Sequence, residues 1–312
     1  MFFYFISFFH MQRVLELQDY ADDINLLTPY TRHLNDYSNE GEMAKELTGL
    51  GNLLHNECGF QYKPQFDSHN FSDGFNYIRA FLNVRQPEKL PDRVISLIDH
   101  ALAHRLIQNE VVDSQTLSPS ISDNLKNPSK LFLWRGDISL LAVDATVNAA
   151  NSQMLGCFRP FHSCIDNVIH TYAGPLLRDD CNIIMNKQGF EEPTGNAKIT
   201  RAYNLPSKFV LHTVGPIYPE AGPERSVELL KSCYTSCLEV ASQVDAIRSV
   251  AFCCISTGVF MFPQEQAASI AVKIVDDWLS DHPGRFDQIV FNVFTEKDFN
   301  LYHKLLLTNN EI

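Results

Sequence analysis

Ala145-Thr146-Val147-Asn148-Ala149-Ala150-Asn151-Ser152, followed after three intervening residues by Gly156-Cys157-Phe158-Arg159-Pro160-Phe161-His162-Ser163-Cys164-Ile165-Asp166-Asn167, decides how the chain is read. A short apolar run passes into a loop dense in thiols, imidazole and carboxylate, and a helical pattern starts at Ile165. A strand handing over to a helix through a chemically loaded loop is the unit from which α/β domains are built.

Outward from that unit the same alternation repeats. Short apolar runs predict strands at 131–134, 145–149, 197–202, 209–214, 249–255 and 288–294, and apolar residues at helical spacing predict helices at 165–173, 224–241, 264–279 and 297–307. Such a series predicts an α/β fold with a mostly parallel or mixed central sheet flanked by helices. Ligands in such folds collect on loops beyond the carboxyl ends of the strands.

Residues 1–125 read differently, as a mainly helical N-terminal extension ahead of a second domain at 126–312. Leu90-Pro91-Asp92-Arg93 opens a helix whose Val94, Leu97, Ile98, Ala101, Leu102 and Leu106 share one face. Met43, Leu47 and Leu50 follow the same spacing, and Tyr62, Phe66, Phe71, Phe75 and Tyr77 need burial. No acid–base pair or phosphate loop is visible there, so the extension reads as a helical cover or a substrate-selecting element. A polar stretch, 113–130, separates it from the strands.

At 312 residues and 45% hydrophobic content the chain can bury a large core, which excludes general disorder. A net charge of -12 argues against a nucleic-acid surface, while leaving room for a local phosphate pocket of backbone N–H groups. The apolar run 1–9 is too short to span a bilayer and has no basic n-region. It reads as a hydrophobic helix start, as translation upstream of a start at Met11, or as a membrane-contacting tip. With no export signal, the eight cysteines are expected to be reduced thiols or metal ligands, and the chain to be intracellular and cytoplasmic. Cys233, Cys237, Cys253 and Cys254 are expected to be small buried hydrophobes.

Four loops carry candidate chemistry. In Arg135-Gly136-Asp137-Ile138 the carboxylate can accept from an amino group, though Gly-Asp is also an ordinary turn. Asn148 and Asn151 can bond ribose hydroxyls or brace their loop without adding charge beside a phosphate. Cys157, His162 and Cys164, spaced C-x4-H-x-C, are soft to borderline donors suited to Zn2+. That zinc reads as catalytic or substrate-binding; a closed knuckle completed by Cys181 and unligated thiols are the alternatives. Asp166 can orient or deprotonate water or cap its helix, and His170 reads as a packing or hydrogen-bonding residue. Ser256-Thr257-Gly258-Val259-Phe260 can offer successive N–H groups to a diphosphate, with Phe260 against a ring or on the core, and Thr194-Gly195-Asn196-Ala197 can brace the same rim.

Together these residues resemble the macrodomain family, and within it the zinc-containing branch of microbial protein ADP-ribose hydrolases. The resemblance rests on Gly136-Asp137-Ile138, Asn148-Ala149-Ala150-Asn151, the stretch Gly156 to Asn167, Ile169-His170, Ala173-Gly174-Pro175, Thr194-Gly195-x-Ala197 and Ser256 to Phe260. It implies a macrodomain-type sheet, Asp137 on the adenine amino group, Ser256, Thr257, Gly258, Val259 and Phe260 around the diphosphate, and Asn151 toward the distal ribose, with Ile138 and Asn148 also among the substrate-binding residues. It further implies Cys157, His162 and Cys164 on Zn2+, and Asp166 with Asn151 at the scissile bond. The implied activity is zinc-assisted removal of mono-ADP-ribose from protein side chains. A non-catalytic ADP-ribose-binding module and a deacetylase of O-acyl-ADP-ribose are the rival functions. The implied partner is an ADP-ribosylated protein, such as a lipoyl-carrier protein marked by a sirtuin-class transferase.

Overall fold

The computed structural model describes residues 13–32, 40–56, 58–61, 71–220 and 222–307. The run 1–9, Met11, Tyr62 and Phe66 lie outside the described residues. After a short helix, α1 (Leu17–Tyr20), Tyr20, Ile24 and Leu26 are buried in the larger of two apolar cores. Three helices follow: α2 (Glu40–Asn56), α3 (Phe71–Val84) and α4 (Asp92–Gln108). Each buries one stripe: Leu47, Leu50 and Leu54 on α2, Phe71, Phe75, Ile78 and Leu82 on α3, and Val94, Ile98, Ala101 and Leu102 on α4. These form the smaller core, which meets the larger one at Tyr172. Helix α3 is absent from the predicted helices; Gly74, Asn76 and Asn83 weaken its propensity, and packing of its aromatic stripe supplies what propensity lacks.

The second half runs β1 (Val112–Asp113), β2 (Leu131–Arg135), β3 (Leu141–Ala142), β4 (Ala145–Ala150), α5 (Ile165–Ala173), α6 (Pro175–Gln188), β5 (Ala197–Arg201), β6 (Phe209–Val214), α7 (Pro223–Ser242), β7 (Ser249–Phe252), α8 (Gln264–Asp281), β8 (Gln288–Val293) and α9 (Glu296–Leu306). Six strands form one sheet in the order β2-β8-β7-β4-β6-β5, parallel except for β5, which runs antiparallel to β6. This is the mixed, helix-flanked sheet that the alternation predicts. Every residue of β6, β7 and β8 is buried, as in a sheet covered on both faces.

Helix α6 was not predicted either. Its polar composition hides a stripe at Leu177, Cys181 and Ile184, but its ends carry sequence signals: Pro175 in the first turn and Gly189 at φ 78° after the last. Strand β7 stops at Phe252, where its ladder with β8 ends, three residues short of the predicted end. Cys233, Cys237 and Cys253 are buried and Cys254 is half-buried. The polar stretch 113–130 is tied down: β1 pairs with β3, and the N–H groups of Lys126 and Asn127 each donate to the Asp276 carboxylate at 2.8 Å. Among the described residues no helix is long and apolar enough to cross a membrane.

Candidate active site

The sheet order places the sequence-predicted loops along one edge. Strands β2, β8, β7 and β4 are parallel neighbours, so the loops after β2 (Gly136-Asp137), β7 (Ser256 to Phe260) and β4 (Asn151) leave from the same carboxyl edge. Three strand spacings of about 4.8 Å put the Asp137 and Asn151 ends roughly 14 Å apart, with the β7 loop between them.

At the β4 end the side chains converge. Asn148 Nδ2 donates to Asp166 Oδ1 at 2.8 Å, and Asn151 Nδ2 donates to Asp166 Oδ2 at 3.3 Å and to the Gly156 carbonyl at 3.0 Å. Cys164, not Asp166, occupies the N-cap of α5, so the capping alternative for Asp166 is not what the chain adopts. Burial pushes the Asp166 carboxyl up to about 6, against the Asn148 hydrogen bond and Arg178, which favour the charged form.

His212 on β6 fixes the Asn148 amide. The Thr200 hydroxyl donates to the Arg201 carbonyl at 3.2 Å, so it accepts from His212 Nε2–H at 2.9 Å. His212 Nδ1 is then bare and accepts from Asn148 Nδ2 at 3.2 Å. Burial holds His212 neutral, with its pKa down to about 3. The amide orientation that feeds Asp166 is thus set two side chains away. Three buried polar atoms along this edge have no partner: Asn148 Oδ1, Asn151 Oδ1 and Ser256 Oγ. Buried orphans are rare, and a group of them at the strand ends calls for a polar ligand or water.

The metal candidates also meet. Ligand atoms of Cys157, His162 and Cys164 lie within 4.8 Å of one another, with Cys157 Sγ 3.6 Å from His162 Nδ1. Zinc bonds of about 2.0 Å to nitrogen and 2.3 Å to sulfur put neighbouring donors roughly 3.5 Å apart, so the set fits that ion in chemistry and spacing. Burial pushes the Cys164 thiol up to about 12; a bound cation would favour the thiolate instead. Cys181 is not a fourth member; it lies with His170 and His212 in a separate, fully buried group.

The loop holding these ligands is pinned from two directions. Asn167 Nδ2 donates to the carbonyls of Cys157 (3.2 Å) and Arg159 (3.0 Å), and Phe161 N–H donates to Asn83 Oδ1 on α3 at 2.9 Å. Asn83 in turn donates to Thr171 at 2.7 Å. Gly156 is required where the loop begins: at φ 82° a Cβ would also lie 2.7 Å from the His170 ring. Both ring nitrogens of His170 lack partners, and Nε2 stands 3.6 Å from Asp166 Oδ1, beyond hydrogen-bond distance.

At the β2 end, a Cβ on Gly136 would lie 2.3 Å from the Trp134 ring, and the residue is bonded to β8 through its N–H and carbonyl. Asp137 caps the turn after it, accepting from Ser139 N (2.9 Å) and Ser139 Oγ (2.6 Å), while Ile138 is buried. Its other carboxylate oxygen accepts from Arg105 Nη2 of α4 at 3.0 Å. The β7 loop turns through Ser256 at φ 65° and Met261 at φ 59°, conformations that non-glycine residues rarely adopt and that cluster at functional sites. Within it Thr257 and Phe260 are half-buried, and Gly258 and Val259 are exposed. Gly195 borders the rim with its N–H on Val214 O and its carbonyl held by Ser232 and Ser236. A surface hollow of about 440 Å3 lined by Asn124, Lys126, Asp276 and Lys304 contains none of these groups.

Sequence reading missed Asn83, Arg105, Thr200 and His212. A histidine within the mostly apolar strand β6 and an arginine on the buried face of α4 were the available signals, since both cost burial unless partnered.

A family model described as Macro domain matches residues 147–271. A protein-ADP-ribose hydrolase of Treponema medium is 48% identical over 229 residues, spanning 73% of this chain and 86% of that protein. The chain belongs to the macrodomain family. A protein-ADP-ribose hydrolase of Staphylococcus aureus (strain MSSA476) is 46% identical to this macrodomain over 75% of the chain and 85% of its own length. Among solved structures, the Trypanosoma brucei macrodomain in complex with ADP-ribose matches with a TM-score of 0.54 and 35% identity, covering 63% of this chain and 77% of that one.

Proposed function

We propose that this macrodomain is a hydrolase that removes mono-ADP-ribose from modified protein side chains by cleaving at the distal ribose C1″. One observation carries this reading: the amides of Asn148 and Asn151, each with a buried, partnerless oxygen, hold the Asp166 carboxylate at one end of an edge whose other end is Asp137, and the partnerless Ser256 hydroxyl lies in the loop between. That order suits a ligand with an amino-bearing ring, a diphosphate and a terminal sugar. Relatives named protein-ADP-ribose hydrolases, and a macrodomain solved with ADP-ribose, support the same ligand.

In this reading Asp137, flanked by Ile138, accepts from the adenine amino group. Ser256, Thr257, Gly258, Val259 and Phe260 surround the diphosphate, which brings local donors to an anion in an acidic chain. Asn148 and Asn151 hold the Asp166 carboxylate and face the distal ribose. Asp166 orients water and takes its proton as the oxygen attacks C1″; the bond to the side-chain oxygen breaks and that oxygen leaves with the electron pair. Where the modified group is a carboxylate ester, the leaving group is a weak base of pKa about 4 and departs without prior protonation. Cys157, His162 and Cys164 would hold zinc, which supplies a Lewis acid at the distal-ribose end. The remote adenosine contacts position the reacting carbon.

Purified, metal-quantified protein is incubated with Asp/Glu-linked and Ser-linked ADP-ribosylated proteins, including a lipoyl-carrier protein marked by a sirtuin-class transferase. The released species is identified by mass. The expected product is free ADP-ribose plus the unmodified side chain, lost in Cys157→Ser and Asp166→Ala. Tight binding with no release, or release of only an acyl group from acylated ADP-ribose, would overturn the hydrolase assignment.

A further inference from the structure

Arg105 of α4 is nearly buried, its side chain 10% exposed, and lies at the Asp137 end of the site. Its Nη2 donates to Asp137 Oδ2 at 3.0 Å and to Ser139 Oγ at 2.9 Å. Because Ser139 Oγ accepts from the guanidinium, its own proton is directed to Asp137 Oδ1, where that bond is 2.6 Å. Ser139 N–H takes up the same oxygen. Asp137 therefore has one oxygen saturated by Ser139 and the other half-occupied by Arg105, which leaves a single acceptor direction on a side chain that is 33% exposed. The guanidinium is itself immobilised, stacked 3.5 Å from the centre of the Tyr172 ring on α5, the helix that carries Asp166. Arg105 is thus a rigid strut from the helical extension to the two elements bounding the site.

We propose that Arg105 is a positioning residue for base selection: it fixes the one free acceptor of Asp137, so that a ring edge carrying an amino donor is preferred to one carrying a carbonyl. This rests on the reading of Asp137 as the adenine-facing residue. Ionised carboxylates offer acceptors only, so a hypoxanthine O6 in the place of the adenine amino group meets lone pairs with lone pairs. A carboxylate free to rotate and hydrate would lose that discrimination, because its water would bridge to either ring. A planar fork held on an aromatic face is not replaced by a lysine ammonium.

Affinities for ADP-ribose and for its hypoxanthine counterpart are measured by calorimetry on the wild-type chain, Arg105→Met and Arg105→Lys, together with kcat and KM on an ADP-ribosylated protein. With Asp137 one-third exposed, the wild type is expected to prefer the adenine ligand by on the order of tenfold. Arg105→Met is expected to reduce this ratio to near one while kcat at saturation stays within about twofold, the loss appearing in KM. Arg105→Lys, which keeps charge and most of the packing, is expected to recover less than half of the lost selectivity and covers the case in which the methionine variant does not fold. Equal weakening of both ligands, with the ratio intact, would reduce Arg105 to a structural residue. Tighter ADP-ribose binding in the variants would show that Arg105 competes with the ligand, and would also overturn the proposal. If the wild type binds neither nucleotide, the assignment of Asp137 falls and this proposal with it; normal wild-type selectivity that the variants retain removes this proposal alone.

Discussion

Two regions supply the site, in contrasting ways. Around the sheet the proposed reacting groups come from one short span: Asn148, Asn151, Cys157, His162, Cys164 and Asp166 lie within nineteen residues from Asn148 to Asp166 inclusive. Among the described residues of the helical layer of α2, α3 and α4 no such group reaches the site; Asn83 and Arg105, on different helices, each hydrogen-bond a residue beside it, and the Arg79 guanidinium lies 5.5 Å from the centre of the Phe161 ring. In the proposed mechanism the sheet's strand ends supply reactivity, and the separately packed helical core supplies restraint. Sub-ångström orientation of a ligand set or an acceptor is worth much in binding and rate, so on the proposed mechanism the second core has a function beyond its own stability.

Mutations can break this contrast. The largest effect is expected at the reacting end: Asp166→Asn, similar in shape, should lower kcat on ADP-ribosylated protein by about 10³-fold, with ADP-ribose affinity within about threefold by calorimetry. An equal loss of affinity would move Asp166 from chemistry to binding. Zinc removal by a chelator should cost on the order of a hundredfold in kcat, restored by zinc; unchanged turnover in metal-free protein would remove the metal from the account.

A smaller effect should come across the domain junction. Asn83→Ala withdraws the acceptor from Phe161 N–H, next to His162, and should weaken zinc about tenfold in chelator competition, although Asn83 is no ligand. Unchanged metal affinity would leave the helical layer without influence on that end. The smallest effect on catalysis is expected inside the helical core. Ile98→Ala should cost about 2–5 kcal/mol of stability in denaturant titration, yet leave kcat of the folded protein within about twofold. A large fall in kcat there would mean that the helical layer acts through its whole packing and not through single struts.

The contrast also explains what the sequence could disclose. Strand–helix alternation after Leu131 carries the mixed sheet because period and length are local properties, and the cysteine–histidine loop is legible because its members are neighbours in the chain. Helix α6 was hidden by polar residues on its exposed side, and α3 by Gly74 and two asparagines, where tertiary packing outweighs propensity. Arg105 and Asp137 are 32 residues apart, and Asn148 and His212 are 64 apart. Nothing local marks such pairs; only the placement of α4 against the turn after β2 and of β6 beside β4 makes them partners.

The most direct test is a crystal structure of Asp166→Asn with ADP-ribose. The account predicts the adenine amino group within hydrogen-bond distance of Asp137, the diphosphate against the loop from Ser256 to Phe260, and the distal ribose between Asn151 and the Cys157, His162 and Cys164 cluster. A ligand bound in the reverse sense, or with its distal ribose away from residue 166, would contradict it.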